Sequence, residues 1–325
     1  MGEGLINAIQ ITENGGPEVL HYTEVDAPEA GPGRLAVQVA AAGVNFIDIY
    51  HRQGVYPLPL PRVLGLEVAG RVIAVGDGVS AFQIGDRVAW LDVFGSYAQV
   101  AVDTPDKFIL VPADVSDEQA AAVTLQGLTA HALATDVYRI EPGDVVLIHA
   151  GAGGVGLLLT QIAKIKGARV ITTVSSPEKA ALSRAAGADE VLGYDDFPDQ
   201  ARALTGGVGV DVVYDGVGAA TFDGSLESIR RRGMMVLFGG ASGQVPPFDI
   251  QRLNQRGSLK LTRPKVYDFV ADHAEMVSRA ADVFGWIADG RLDVRIGGRY
   301  PLAEAARAQE ELAGRRTTGK LVLIP

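Results

Sequence analysis

The chain contains no cysteine. That excludes disulfides, thiolate catalysis and every cysteine-ligated zinc site. It also lacks an excess of positive charge, with 29 Lys and Arg against 39 Asp and Glu and a net charge of −10. General nucleic-acid affinity comes from clustered Lys and Arg, so no nucleic-acid partner is expected, although a local basic patch can still hold one anionic ligand. The first ten residues, MGEGLINAIQ, have neither a basic n-region nor an apolar h-region, so no secretory signal is read there and a cytoplasmic location is expected. Ile6 stands where a myristoylation motif needs Ser or Thr. No long apolar run is unbroken. Residues 145–163 carry no formal charge, but Gly151, Gly153, Gly154 and Gly156 split the stretch, and His149, Thr160 and Gln161 interrupt it. A buried strand, a turn and a buried helix account for it better than a spanning helix, so no membrane partner is expected.

What is present points to two domains in 325 residues. The first third reads as short apolar strands (35–39, 68–75, 87–90) separated by glycine turns such as Gly31-Pro32-Gly33, Gly76-Asp77-Gly78 and Gly85-Asp86. A partly open β-barrel buries such strands without exposed edges. Residues 116–133 read helical, with an acidic, capped start. From about Asp144 strands and helices alternate. Strands are expected at 145–149, 169–174, 190–192, 211–214, 234–238 and 258–261, and helices at 154–166 and from Ser176-Pro177-Glu178 to Gly187. Six alternating strands predict a parallel dinucleotide-binding (Rossmann) sheet with right-handed crossovers. The tail from about Tyr267 reads helical and closes on a strand at 320–324.

Gly151-Ala152-Gly153-Gly154-Val155-Gly156 follows the first of these strands and opens a helix. In a G-x-G-x-x-G motif so placed, the expectation is that Gly151 makes the tight turn, Gly153 admits a pyrophosphate to the backbone and Gly156 permits close helix–strand packing. The helix N-terminus offers unpaired N–H groups to the phosphates. NAD enzymes place an acid about 20 residues on, to accept from the ribose hydroxyls. Here the second strand ends Thr173-Val174-Ser175-Ser176, and Lys179 follows one turn into the next helix. An acid-free pocket with hydroxyls and an ammonium suits a 2′-phosphate, so NADPH is the expected cofactor. Ser176 by itself also reads as a plain helix cap and Lys179 as a solvated charge. It is the missing acid that carries the inference.

With Gly15-Gly16-Pro17-Glu18-Val19-Leu20, Gly43-Val44-Asn45-Phe46-Ile47-Asp48, Gly127-Leu128-Thr129, Tyr214 to Gly218 and Leu261-Thr262-Arg263-Pro264, this motif makes the chain resemble the medium-chain dehydrogenase/reductase superfamily. It is similar above all to the zinc-free, zeta-crystallin-like NADPH:quinone oxidoreductase branch. The resemblance runs along the whole chain and implies a GroES-like catalytic domain (1–129), a Rossmann domain (130–266) and a C-terminal return to the first (267–325). Zinc members carry a Cys after the first Gly-Val turn and a Gly-His-Glu motif. This chain has Asn45 and Asp48 in the first region and Gly65-Leu66-Glu67 in the second, so no metal is expected.

The resemblance also implies roles. Asn45 and Tyr50 would stand on the nicotinamide side, with Thr129 near the nicotinamide or pyrophosphate. Ser175, Lys179 and Tyr194 would clamp the 2′-phosphate. Phe238, Gly239 and Ser242 would lie over the nicotinamide half, and Asn254 and Arg315 would add cofactor contacts. The expected reaction is reduction of a quinone, by hydride or by stepwise electron transfer, in an interdomain cleft. Asn45, Tyr56 and Arg263 are candidate partners for the developing oxyanion. His51 reads more readily as a packed histidine than as a proton relay. An enone or enoyl-thioester reductase using Tyr56, and a non-enzymatic NADPH-binding protein, stay open as alternatives. The edge strand at 258–261 invites a homodimer.

Overall fold

In the computed structural model, residues 4–92 and 94–325 are described. The chain forms two compact units. The first comprises the chain up to Leu125 together with Ala271–Ala288 and Val294–Pro325; the second comprises Gln126–Val270 and Asp289–Asp293.

The second unit is built on six strands in the order Glu190–Leu192, Arg169–Thr173, Val145–Ile148, Val210–Asp215, Ile229–Leu237 and Lys260–Thr262. All five pairings are parallel. Numbered along the chain this order is 3-2-1-4-5-6, the doubly wound dinucleotide-binding arrangement. The central strands are continuous apolar runs because helices cover a parallel sheet: Val146, Leu147, Ile148, Val170, Ile171, Val212 and Val213 are fully buried. The fifth strand starts earlier than its apolar run predicts. Ile229 pairs with Val210 and Met234 with Val212, so residues 230–233 bulge out, and Arg232 takes a φ of 65°. The sixth begins at Lys260 rather than Ser258, because Gly257 and Ser258 both hold positive φ and turn the chain into it.

In the first unit a larger sheet runs Ile296–Pro301, Lys320–Ile324, Leu35–Val44, Glu67–Val75, Arg87–Leu91, Phe108–Leu110, with Val100–Asp103 also on Leu35–Val44. A smaller sheet places Leu5–Ile11 between His21–Asp26 and Arg62–Val63. Ile9 and Ile11 from the small sheet share one core with Val37, Val68, Trp90, Phe108 and Leu321 from the large one, so the two sheets wrap a common interior as a partly open barrel does. The C-terminal strand pairs antiparallel with Leu35–Val44, which the sequence left unassigned. The tail is not helical throughout. Helices His273–Ala288 and Ala305–Ala313 flank the strand Ile296–Pro301, whose Gly297-Gly298 pair hides it from a strand reading. Thr318's backbone lies where a side chain at 297 would project, and the register shifts there. Helix Asp117–Ala132 starts on a capping box between Ser116 and Gln119 and runs into a π turn, Leu133–Val137.

Candidate active site

The glycine-rich turn follows Val145–Ile148 and leads into helix Gly154–Ile165, with Gly153 as N-cap. Gly151 sits inside a tight turn that Gly153 N closes on Ala150 O at 2.8 Å, and the residue in the left-handed region there is Ala150, at φ 53°. Gly151 has no room for a side chain: a Cβ there would lie 2.6 Å from Thr172 Cβ and 2.8 Å from Ser183 Oγ on the neighbouring elements. Gly156 lies on the carbonyl of Ala150, and Gly154 on the Gln126 side chain, both too close for a side chain. Gly153 differs. A Cβ there would meet only Ala150, its carbonyl at 3.2 Å. Its outer side is open, and the first N–H groups of the helix have no acceptor within the helix. The turn is therefore closed by protein on the inside and available to an anion on the outside.

Beside it lies a pocket of about 480 Å³ between the ends of the second and third strands, lined among others by Val174, Ser175, Ser176, Tyr194 and Asp195. The Ser176 hydroxyl caps helix Pro177–Ala185 by accepting from Lys179 N at 3.3 Å, and Lys179 Nζ donates to Ser175 Oγ at 3.3 Å. The Tyr194 hydroxyl accepts from Ala150 N at 3.2 Å. Ser175, Lys179 and Tyr194 are thus gathered with the glycine turn. The pocket is not wholly acid-free. The second strand ends without an acid, but the loop after the third strand brings Asp195 to the lining, a placement that the residues of the second strand do not reveal.

In the first unit Asn45 is the N-cap of helix Phe46–Arg52, in a capping box with Asp48. Its amide faces inward, toward a buried charge cluster. Asn45 Nδ2 donates to Glu67 Oε2 at 2.9 Å, and Lys320 Nζ donates to Asn45 Oδ1 at 2.6 Å and to Glu67 Oε2. The other oxygen of Glu67 accepts from Leu125 N at 2.5 Å. Asp48 Oδ2 accepts from Asn45 N at 2.9 Å and from the Tyr97 hydroxyl at 2.8 Å. Burial pushes the Asp48 carboxyl up to about 7, against these two hydrogen bonds and the Lys320 charge, and pushes the Tyr97 phenol well up.

On the other side of the same helix stands an aromatic group. Tyr50 and Tyr56 meet edge to face at 5.8 Å, Phe46 packs on Tyr50 at 6.3 Å, and His51 lies 5.2 Å from Phe94. Tyr56 is exposed, while His51 is buried and burial lowers its pKa, as a packed histidine requires. Arg62 covers the Phe94 ring at 4.6 Å.

The other expected site residues divide between the units. Thr129 lies on helix Asp117–Ala132 within the second unit. Phe238, Gly239 and Ser242 form the loop after Ile229–Leu237, tied by Phe238 N to Asp215 O at 2.9 Å and by Ser242 Oγ to Val217 O at 2.7 Å. Asn254 is exposed on the short helix Gln251–Gln255, and Arg263 is exposed just past the edge strand. Arg315 is exposed in the first unit at φ 56°. None of these last three lines the Ser175–Asp195 pocket.

Comparison with known proteins bears on this geometry. Residues 31–112 match the alcohol dehydrogenase GroES-like domain, and residues 154–282 match the zinc-binding dehydrogenase family. The chain is 44% identical to a quinone oxidoreductase of Pseudomonas aeruginosa over 98% of its length and 99% of the relative's. It belongs to the medium-chain dehydrogenase/reductase superfamily, in the zinc-free quinone oxidoreductase branch. A mycobacterial protein solved in complex with NADPH is 51% identical and superposes with a TM-score of 0.96 over 98% of this chain and 100% of that one. A 2-haloacrylate reductase from Burkholderia is 39% identical over 99% of both chains.

For a member of this superfamily the Lys320–Glu67–Asn45 cluster is the feature that sequence reading missed. Gly65-Leu66-Glu67 drew attention only through the leucine. Nothing local marks Lys320 as buried, at 2% exposure, since lysine is the residue least expected there. Among the described residues no group of three or more His, Asp or Glu is placed to hold a metal ion, and no helix is long and apolar enough to cross a membrane.

Proposed function

We propose that the chain is an NADPH-dependent reductase of quinones. The observation that carries the reading is the pocket beside the glycine turn, lined by Ser175 and Tyr194 at the end of a strand that bears no acid, with the Lys179 ammonium donating to Ser175 Oγ. When bound, NADPH supplies a hydride from its nicotinamide. The open face of Gly153 and the N–H groups of Gly154, Val155 and Gly156 hold the diphosphate, with Gly151 letting the turn sit against the next strand. Ser175, Lys179 and Tyr194 hold the 2′-phosphate by charge-assisted hydrogen bonds. Thr129, Phe238, Gly239, Ser242, Asn254 and Arg315 are assigned further cofactor contacts on the family resemblance.

The acceptor side is assigned to the aromatic group. Tyr50 and Tyr56 present ring surface to a planar acceptor. The exposed Tyr56 phenol is the donor for an oxygen on which charge develops; the exposed Arg263 guanidinium is a separate candidate for that role. Asn45 acts from behind: with both ends of its amide engaged by Glu67 and Lys320, it fixes the start of the helix that carries Tyr50. A second reading, reduction of an activated enone, is favoured by the likeness to a 2-haloacrylate reductase and by the same Tyr56 phenol as proton donor. NADPH oxidation is to be followed against benzoquinone, naphthoquinone, phenanthrenequinone, 2-chloroacrylate and crotonyl thioester. Turnover of quinones at least tenfold above the enones supports the first reading; turnover of enones alone replaces it with the second. The edge strand Lys260–Thr262 is the proposed pairing surface of a homodimer, and a monomer by sedimentation at micromolar concentration would remove that assignment.

A further inference from the structure

His149 is the last residue before the glycine turn, and the proposed chemistry gives it no part. Its ring is 1% exposed and belongs to a closed polar chain. Nδ1 lies 2.7 Å from Thr173 Oγ1, at the end of the second strand. Nε2 lies 2.9 Å from Ser225 Oγ, on helix Phe222–Ser228. Ser225 in turn donates to Asp215 Oδ2 at 2.9 Å, at the end of the fourth strand. Asp215 is crowded with donors. Oδ2 also takes the Thr221 hydroxyl at 2.7 Å, and Oδ1 takes Val217 N at 2.8 Å and Gly218 N at 2.9 Å.

Proton bookkeeping fixes the tautomer. The Ser225 hydroxyl has one proton, and it goes to Asp215. Toward His149, Ser225 can therefore only accept, so Nε2 carries the imidazole proton. Nδ1 must then accept, and the Thr173 hydroxyl donates to it. Every donor in the row points toward Asp215. The imidazole is neutral in this arrangement, in keeping with burial lowering its pKa. A neutral ring with both nitrogens occupied cannot turn about its axis without breaking two hydrogen bonds.

The ring so fixed faces Tyr194. The two planes lie 21° apart with centroids separated by 6.2 Å, and Phe197 meets the imidazole edge-on at 4.8 Å from another side. Tyr194 reaches past His149 to accept the N–H of Ala150 and lines the pocket that holds Ser175.

We infer that His149 is a positioning residue for the adenosine end of the cofactor: anchored by Thr173, Ser225 and Asp215, it sets the ring plane of Tyr194 and thereby the shape of the pocket that distinguishes a 2′-phosphate from a 2′-hydroxyl. The inference rests on the NADPH reading above. It makes His149 a determinant of cofactor choice that touches neither the cofactor's reacting half nor the acceptor.

The test is a double-mutant cycle read by direct titration of NADPH and NADH, with turnover measured at saturating NADPH. His149→Asn, which keeps a polar group but loses the ring, raises the NADPH dissociation constant about tenfold, a change of about 1.4 kcal/mol. It moves the NADH constant less than about twofold and leaves kcat within about twofold, because the chemical step is untouched. In a Tyr194→Ala background the same substitution adds less than about twofold, since the residue through which it acts is gone. Ser225→Ala, a smaller change that leaves the ring in place but anchored only through Thr173, shifts NADPH affinity in the same direction by roughly threefold and serves if His149→Asn does not fold. Equal losses of NADPH and NADH, an undiminished loss in the Tyr194→Ala background, or no loss in either His149→Asn or Ser225→Ala overturns the inference. If the parent protein binds NADPH no better than NADH, it is the cofactor assignment itself that fails, and the parent titration shows this before any variant is made.

Discussion

Replacing Lys320 by Met tests what the buried cluster of the first unit contributes. Lys320 and Glu67 have side-chain exposures of 2% and 0%. Without the ammonium, Glu67 keeps only the Leu125 N–H and the Asn45 amide as donors, while its charge stays out of water. Breaking one side of a buried pair costs about 3–5 kcal/mol. That is a large part of the roughly 5–15 kcal/mol that holds a domain folded, and at about 2–4 °C per kcal/mol it lowers the melting temperature by roughly 6–20 °C. The loss is recoverable. In Lys320→Met/Glu67→Gln no charge is stranded: the glutamine oxygen can accept from Leu125 N, and once the Asn45 amide, released by Lys320, turns over, the glutamine NH2 can donate to the Asn45 oxygen. Exchanging both members of such a pair is commonly near neutral, so the double variant should melt within about 5 °C of the parent. Differential scanning calorimetry on the cofactor-free protein reads both. A single variant within about 1 kcal/mol of the parent, or a double variant no better than the single, would refute the reasoning.

Two further predictions follow from single groups. The Asp48 carboxyl is raised from 3.8 to about 7 by burial, so the folded protein holds that proton more tightly than the unfolded chain does. Stability must then fall as pH climbs from about 4 to about 7, by an amount of order 4 kcal/mol at 1.36 kcal/mol per tenfold in proton affinity. Asp48→Asn removes that slope and makes the variant the more stable form at pH 8; denaturant melts whose pH profiles run parallel for parent and variant would contradict this. Asp195 brings a negative charge to the pocket lining. Asp195→Asn should tighten NADPH about two- to fivefold in low salt and leave NADH unchanged, with the gain shrinking as salt screens the pair; an equal effect on both cofactors would argue against a 2′-phosphate near that residue.

Much of the second unit was legible because its physics is local. Fully buried parallel strands write themselves as apolar runs, and the helices between them stop at Gly167 and Gly187, both at positive φ. The glycine motif was legible as a tight turn between strand and helix, but its surroundings were not: Ala150 makes the left-handed bend, and Gly151 is kept bare by Thr172 and Ser183, residues of elements that only the fold brings alongside. Asp195 escaped for a related reason, since it reaches the pocket from a different strand. In the first unit the limit is distance along the chain. Glu67 and Lys320 are 253 positions apart, and a lysine in Thr318-Gly319-Lys320-Leu321 carries no mark of burial. The strand Ile296–Pro301 was hidden by its two glycines, whose place in a sheet depends on what lies across from them: the backbone of Thr318 at Gly297, and the Tyr300 and Leu321 side chains at Gly298.

The central claim is that the pocket beside the glycine turn is built for a phosphate on the adenosine ribose, and titration of the purified protein with NADPH and NADH, by calorimetry, tests it most directly. A charge-assisted contact is worth about 1.5–3 kcal/mol, so NADPH should bind at least about tenfold tighter than NADH, and Lys179→Ala should erase most of that difference while changing NADH affinity less than about twofold. Binding of NADH as tight as or tighter than that of NADPH, or a Lys179→Ala variant that loses both cofactors equally, would contradict it.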